Sequence, residues 1–395
     1  MIRAEITVDF SALRDNVARL AALCAPARYA AVVKGNAYGH GLVPVARALA
    51  DRADAFCVYR ADEAVALRDA GITNPILVLG PLEPEELAAA HDARAAVALW
   101  STGGFLRDAV RLGARSERPV AVHAKIDSGL ARLGLAAEAA PAALAAYLDE
   151  PHLALDGVFT HLAAAEELAS AYTLAQLERF NDALEPVALR LAAAGVVRHA
   201  AASAAAMLFP KLRLDLIRAG IATYGIWPSA QTRAAAHHAL DLAPALSWTT
   251  DLVVVREVEA NVPVGYGCTF VTARPSRIGI IPIGYAEGVP RALSSAGFAL
   301  ACGRRVPIVG RVCMNMAFVD VTDVPDAACG TRVTLIGRDG GARIDANELA
   351  EAAGTIGYEL VARLPADIPR RYVYGGNAVE AGKAAMASAR SSVPS

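Results

Sequence analysis

YAAVVKGNAYGHGLVPVARALADRADAFCVY, residues 29–59, holds the unit whose reading decides the fold. It opens on an apolar run, YAAVVK (29–34), and turns through GNAYGHG (35–41), which has three glycines in seven residues. Helical composition follows in VPVARALA (43–50), and a second apolar run, DAFCVY (54–59), closes the unit. Near-continuous hydrophobic runs are what parallel strands covered on both faces require.

Six more such runs follow: PILVLG (75–80), AAVALW (95–100), AVHAKID (121–127), LDGVFTH (155–161), VVRHAAS (197–203) and IATYG (221–225). Between them lie ADEAVALRDAG (61–71), GGFLRDAVRLG (103–113), PAALAAYLDE (141–150) and a long helical stretch over 168–195. Gly71, Gly113 and Gly195 stop three of these helices, as glycine does where the chain must leave the helix. Eight strands alternating with helices predict a closed (β/α)8 barrel. An open doubly wound sheet is the alternative, but it would usually need fewer strands, and no G-x-G-x-x-G follows the first run.

After about residue 240 the pattern changes. The stretches 246–258, 276–284, 307–314, 317–324 and 331–337 are β-rich, closely spaced and separated by glycine and proline turns. They predict a second, mainly β domain, with one helix over 345–353. ITVDF (6–10) reads either as a barrel strand or as a partner of the second domain, and the second reading is preferred. The expected division is 1–10 with the C-terminal domain, 11–238 as barrel, 239–381 as β domain and 382–395 as a flexible tail.

Composition narrows the class. The 395 residues are 55% hydrophobic and 20% charged, which excludes a disordered chain. A net charge of -2 with scattered arginines argues against a nucleic-acid partner. No stretch reaches about 18 uncharged apolar residues, so no membrane span is expected. The six cysteines form no C-x-x-C pair and match no metal site, and a reducing, cytoplasmic setting fits them best. No metal is expected.

A barrel carries its chemistry at the C-terminal ends of its strands. Here those ends bring together Lys34, Tyr59, Lys125, His161, Ser203 and Tyr224. Two lysines at strand ends are costly to bury without a reason. Lys34, next to a glycine-rich turn, suits a Schiff base if its surroundings lower its pKa, and pyridoxal phosphate uses such a lysine. Arg218-Ala219-Gly220-Ile221, just before the last predicted strand, falls where this fold commonly cradles phosphate.

These stretches carry a resemblance. AVVKGNAYGHG (31–41), VHAKIDSGLARLG (122–134), GVFTHLA (157–163), DLIRAGIATYGIWPS (215–229), VGYGCTF (264–270), IPIGYAEGVPR (281–291), PIVGRVCMN (307–315) and GYELVARLPADIPRRY (357–372) are similar to motifs of the alanine racemase family, fold-type III pyridoxal-phosphate enzymes. The resemblance spans about residues 4–372. It implies a two-base racemisation of L- and D-alanine, pyridoxal 5'-phosphate as cofactor, and a homodimer with shared sites. It also implies a role in supplying D-alanine to peptidoglycan.

By motif position, Lys34 is the cofactor lysine and the base for the D side, and Tyr266, from the partner chain, is the base for the L side. Arg218 faces the pyridine nitrogen, and His161 tunes that network. Tyr38, Ser203, Gly220, Ile221 and Tyr358 are the implied phosphate ligands. Arg132 is implied to bind the substrate carboxylate or to support the O3′ side of the cofactor, with Lys125 as its carbamylated support, and the Met314 amide is implied to touch the substrate carboxylate. Glu166, Tyr285, Arg291 and Arg311 line the implied entrance. Ala202, Asn315 and Gly357 depart from the family's usual asparagine, aspartate and asparagine, which leaves room for a racemase preferring serine or another small amino acid. A fold-type III decarboxylase is the more distant alternative; it would normally set a glutamate against the ring nitrogen.

Overall fold

Ala4–Asp9 opens the chain outside the barrel, in a computed structural model that describes residues 4–379. This strand pairs antiparallel with Leu246–Asp251, Ile6 facing Trp248, and parallel with Arg370–Tyr374. Its alternate residues Ala4, Ile6 and Val8 are buried, so its two-residue period places one face on the core. Asp9 then caps the helix Phe10–Cys24, its carboxylate accepting from the Ser11 amide at 2.8 Å.

Eight parallel strands follow: Arg28–Val32, Ala55–Val58, Ile76–Val78, Ala96–Leu99, Val120–Asp127, Leu153–Phe159, Val197–His199 and Leu216–Ala219. The last pairs with the first, Arg218 beside Ala30, as a barrel demands. The ring closes between the last two strands by separate bonds rather than a ladder. Asp215 N donates to Arg198 O at 3.1 Å and Arg218 N to Ala201 O at 2.9 Å, with a bridge between Ala202 and Arg218. Arg218 therefore sits on the seam.

Within the barrel, three elements differ from the sequence reading. The eighth strand is Leu216–Ala219, and IATYG instead forms a short 3-10 helix, Ile221–Tyr224, ending at Gly225 with φ 75°. All four of its residues are buried, which gave the run a strand-like composition. Arg218 lies within the last strand, not ahead of it. The seventh strand ends at His199, and Ser203 begins the helix Ser203–Leu208. The long stretch over 168–195 breaks into Tyr172–Leu184, a 3-10 turn Glu185–Val187 and Ala188–Ala193, because Pro186 has no amide to continue the helix.

The C-terminal region is a mainly antiparallel sheet that also takes in Ala4–Asp9. The run 246–258 divides into Leu246–Asp251 and Val254–Val258, and Phe298–Ala301 is a strand that the sequence reading passed over. Asp345 caps the expected helix, here Ala346–Ala352, accepting from the Glu348 amide at 2.9 Å. The next helix, Gly357–Ala362, lies over the turn after the first barrel strand. A β-carbon on Gly39 would stand 2.1 Å from Val361 O. The expected tail, 382–395, lies outside the described residues. Among the described residues no helix is long and apolar enough to cross a membrane.

Candidate active site

The first barrel strand hands over to an unusual turn. From Gly35 to Gly39 every residue is left-handed, with φ of 63°, 55°, 54°, 52° and 80°. The turn is hydrogen-bonded as a helix, Ala37 N to Val33 O at 2.8 Å and Gly39 N to Gly35 O at 3.0 Å. Glycine adopts this conformation freely, but for Ala37 and Tyr38 it costs about 1–2 kcal/mol each. Such strain persists only where the surroundings over-determine it. Here the Glu63 carboxylate accepts from the Gly35 amide at 2.7 Å, and the Asn36 side chain accepts from the Leu42 amide at 2.9 Å. The turn sets Lys34 and Tyr38 at the mouth of one cavity.

That cavity, about 810 Å3, is lined by Lys34, Tyr38, Lys125, Arg132, His161, Glu166, Ser203, Arg218, Gly220, Ile221 and Tyr358. The structure thus unites the barrel residues singled out from sequence, together with Tyr358 from the C-terminal region, with the exception of Tyr224, which is fully buried and donates to Val32 O at 2.9 Å. Its electrostatics are lopsided. Lys34, Lys125, Arg132 and Arg218 share one space, and none of them makes an ion pair among the described residues. Burial, then Arg132, lowers the Lys34 pKa. Burial, with Arg132 and Arg218 adding, pushes Lys125 down to about 8. Burial brings Arg218 to about 10. Lys125 and Arg218 are buried, Lys34 is half-buried and Arg132 is exposed. Unmatched cations in such a space are costly, so the cavity suits anions.

Arg218 is the most tightly held of the four. It donates to His199 Nδ1 at 2.7 Å, to Thr160 O at 2.8 Å and to Ala200 O at 3.0 Å, with His161 Nδ1 at 3.4 Å. Its guanidinium lies 5.1 Å from the Phe159 ring centroid, against which His199 also stacks at 4.8 Å. Burial, then Arg218, drives His161 down to about 3, so its ring is neutral.

At the other end, Ser203 Oγ accepts from Gly220 N at 3.0 Å and from Ala222 N at 3.4 Å, which leaves its own proton to donate inward. A β-carbon on Gly220 would stand 2.5 Å from the Tyr38 hydroxyl. Only glycine lets that hydroxyl close over the backbone. Tyr358 completes the group, its ring 6.4 Å from Tyr38.

Five expected residues are elsewhere. Tyr266, Tyr285, Arg291, Arg311 and Met314 line a second cavity of about 860 Å3 in the β region, which shares no lining residue with the first. Tyr266 is 72% exposed, raised on a turn between Gly265 and Gly267, with φ of 77° and 72°. Met314 is 57% exposed. The Arg311 guanidinium carbon would be 2.9 Å from a β-carbon on Gly267. Neither Arg291 nor Arg311 forms an ion pair among the described residues.

Phe159 and His123 were not picked out from sequence. His123 Nδ1 lies 2.8 Å from His199 Nε2. The two-residue period of strands was a usable signal: His123 shares a strand face with Lys125, and Phe159 stands two residues before His161.

Comparison with known proteins gives the family of the chain. Residues 8–228 match the family model described as alanine racemase, N-terminal domain, and residues 245–372 match alanine racemase, C-terminal domain. A protein named alanine racemase from Desulfosudis oleivorans is 41% identical over 384 residues, covering 94% of this chain and 96% of that protein. Another of that name from Symbiobacterium thermophilum is 43% identical over 380 residues, covering 93% and 96%. The crystal structure of alanine racemase from Bacillus anthracis with bound L-Ala-P superposes with a TM-score of 0.87 at 36% identity, covering 96% of this chain and 97% of that one.

Proposed function

The chain belongs to the alanine racemase family, and from that premise we propose that it interconverts L-alanine and D-alanine with pyridoxal 5'-phosphate, as a homodimer with shared sites. The observation that carries this reading is the division of one chemical set between two cavities of the same chain.

The barrel cavity suits the cofactor on its donor set. The hydroxyls of Ser203, Tyr38 and Tyr358, with the backbone at Gly220 and Ile221, are donors for a phosphate dianion, and the closeness of Tyr38 to Gly220 makes the cradle. Lys34, its pKa lowered, suits an imine link to an aldehyde. Arg218 is a donor that does not give up its proton readily, which suits a ring nitrogen kept unprotonated. When bound, the cofactor supplies the conjugated sink that makes an α-proton removable.

The chain's own groups do the rest. The Lys34 amine takes or returns the α-proton on one face, and the phenol of Tyr266 from the partner subunit does the opposite on the other. Inversion within a closed site needs two such groups. Arg132 and the Met314 amide of the partner subunit hold the substrate carboxylate. Lys125, as a carbamate, turns a fourth cation into an anion that steadies Arg132. Glu166 meets Tyr285, Arg291 and Arg311 of the partner subunit at the entrance, where its carboxyl, raised in pKa by burial, gains cationic neighbours.

Mixing inactive variants tests the shared site. Lys34→Ala and Tyr266→Phe, each inactive alone, are expected to regain about a quarter of native activity after subunit exchange, because each mixed dimer holds one intact site. No recovery in dimers proven mixed would place both bases in one chain. Alanine incubated with the native protein in heavy water should exchange its α-proton and yield both enantiomers. Exchange without inversion would remove the racemase reading.

A further inference from the structure

His40 ends the left-handed turn and has no part in the reading above. It is fully buried, its ring 4.4 Å from that of Tyr224. Its Nδ1 lies 2.8 Å from Tyr38 O and 3.1 Å from Ala37 O. Both are carbonyls, which only accept, so Nδ1 carries the proton. Nε2 is then a bare lone pair, and it has no hydrogen-bond partner among the described residues. Burial pushes the ring's pKa down to about 4, so that lone pair stays unprotonated. A side chain kept only to fill space would not leave a buried acceptor orphaned, since an apolar residue packs there without that cost.

The carbonyls that His40 holds belong to Ala37 and Tyr38, the residues for which a left-handed backbone is most strained. Other groups pin the remaining turn: Glu63 at Gly35, Asn36 at Leu42, and Arg370, whose Nε donates to Gly39 O at 2.8 Å. We infer that His40 is a positioning residue whose Nδ1–H holds the Ala37 and Tyr38 carbonyls in the left-handed turn and so sets where the Lys34 amine and the Tyr38 hydroxyl stand. The inference rests on the barrel cavity being the cofactor site.

Relief of the strain is the test. Glycine at position 37 removes the Ala37 share of the penalty that His40 opposes. His40→Leu is expected to weaken pyridoxal-phosphate binding, read by titration of the cofactor absorbance, at least about tenfold. Adding Ala37→Gly should restore most of that loss, while Ala37→Gly alone stays within about twofold of native. Hydrogen exchange over residues 34–42 in the cofactor-free protein should rise in His40→Leu and fall again in the double variant. Native cofactor affinity in folded His40→Leu, or no rescue by Ala37→Gly, would overturn the inference. Should His40→Leu not fold, a double variant that folds and binds supports it, and one that stays unfolded overturns it. A native chain that binds no pyridoxal phosphate would sink the proposed function, and exchange over 34–42 would still decide whether His40 holds the turn.

Discussion

Arg218 donates to Nδ1 of His199 at 2.7 Å, and this one bond fixes the protons of two histidines. A guanidinium only donates, so His199 Nδ1 accepts and its Nε2 carries the proton. That Nε2 faces His123 Nδ1 at 2.8 Å, which must accept in turn. The chain of bonds runs one way, from the Arg218 cation at the cavity to the half-buried imidazole of His123. It keeps Arg218 charged with no carboxylate beside it.

Truncation of Arg218 should therefore cost more than a charge. Arg218→Ala strands His199 Nδ1, Thr160 O and Ala200 O, each about 1–3 kcal/mol to leave unpaired when buried. A loss of about 3–5 kcal/mol in urea unfolding is expected, against a smaller loss for Arg218→Lys. A loss under about 1 kcal/mol for the alanine variant would mean the three acceptors find other donors.

Acid should begin to destabilise the fold at pH values above the range in which ordinary carboxylates take up protons. Burial holds His123 down to about 3, from an ordinary 6.5. Below the ordinary value the unfolded chain takes up protons that the native ring refuses, so stability falls as pH drops from 6.5 towards about 3. Unfolding measured at several pH values should show this slope, and His123→Gln should flatten part of it. An unchanged slope would mean that His123 carries none of it.

How much of this was open to sequence follows from what strands and turns advertise. Arg218, read as lying ahead of the last strand, took its role from the family resemblance alone, whereas Lys34, Lys125 and His161 stand out because ionisable groups at the ends of apolar strands are rare. The parallel runs gave the barrel for the same reason. IATYG was misread because a fully buried 3-10 helix and a buried strand have one composition. His40 looked like part of a glycine turn, since a left-handed run of five residues leaves no periodicity to read. The split into two cavities was legible only through the family resemblance, because composition and periodicity do not report which residues one chain brings together.

Lys125 should take up carbon dioxide. With its pKa near 8, the amine has a neutral fraction able to attack the carbon of CO2, releasing a proton to solvent. Protein kept in 13C-bicarbonate should show a carbamate carbon by NMR that grows as pH rises through about 8 and is missing in Lys125→Met. Lys125→Glu, which restores an anion, should keep more activity than Lys125→Met. No label at any pH would leave Lys125 as a free amine.

The glycine at 357 is matched to Asn347. A β-carbon there would stand 2.2 Å from Asn347 Oδ1, whose Nδ2 donates to Trp227 O at 3.0 Å. Gly357→Asn should shift the helix bearing Tyr358, lower stability by about 1–3 kcal/mol and weaken cofactor binding. Asn347→Gly added to it should recover both. A tolerated Gly357→Asn would show that Asn347 turns aside freely.

Asn315 joins the loop of the proposed substrate-binding amide to a carboxylate. Its Nδ2 donates to Glu287 Oε1 at 2.7 Å, while Glu287 Oε2 accepts from Gly284 N at 2.8 Å. Backbone bonds from Tyr285 N to Cys313 O at 3.0 Å and from Ala286 N to Met314 O at 2.9 Å tie the same two loops together. Glu287 thereby holds the loop that carries Met314, whose amide is the proposed substrate-carboxylate ligand. Asn315→Asp would set two carboxylates at contact, and like charges that close cannot both stay ionised cheaply. The loops should part, raising KM for alanine about tenfold with kcat within about threefold, since a carboxylate anchor binds ground and transition states alike. Lowering the pH should bring KM back, because one shared proton rejoins the pair. Glu287→Gln in the same chain should restore KM at neutral pH, its amide donating to the new aspartate and its oxygen still accepting from Gly284. A native KM in Asn315→Asp, or a rise that Glu287→Gln leaves untouched, would separate this pair from substrate binding.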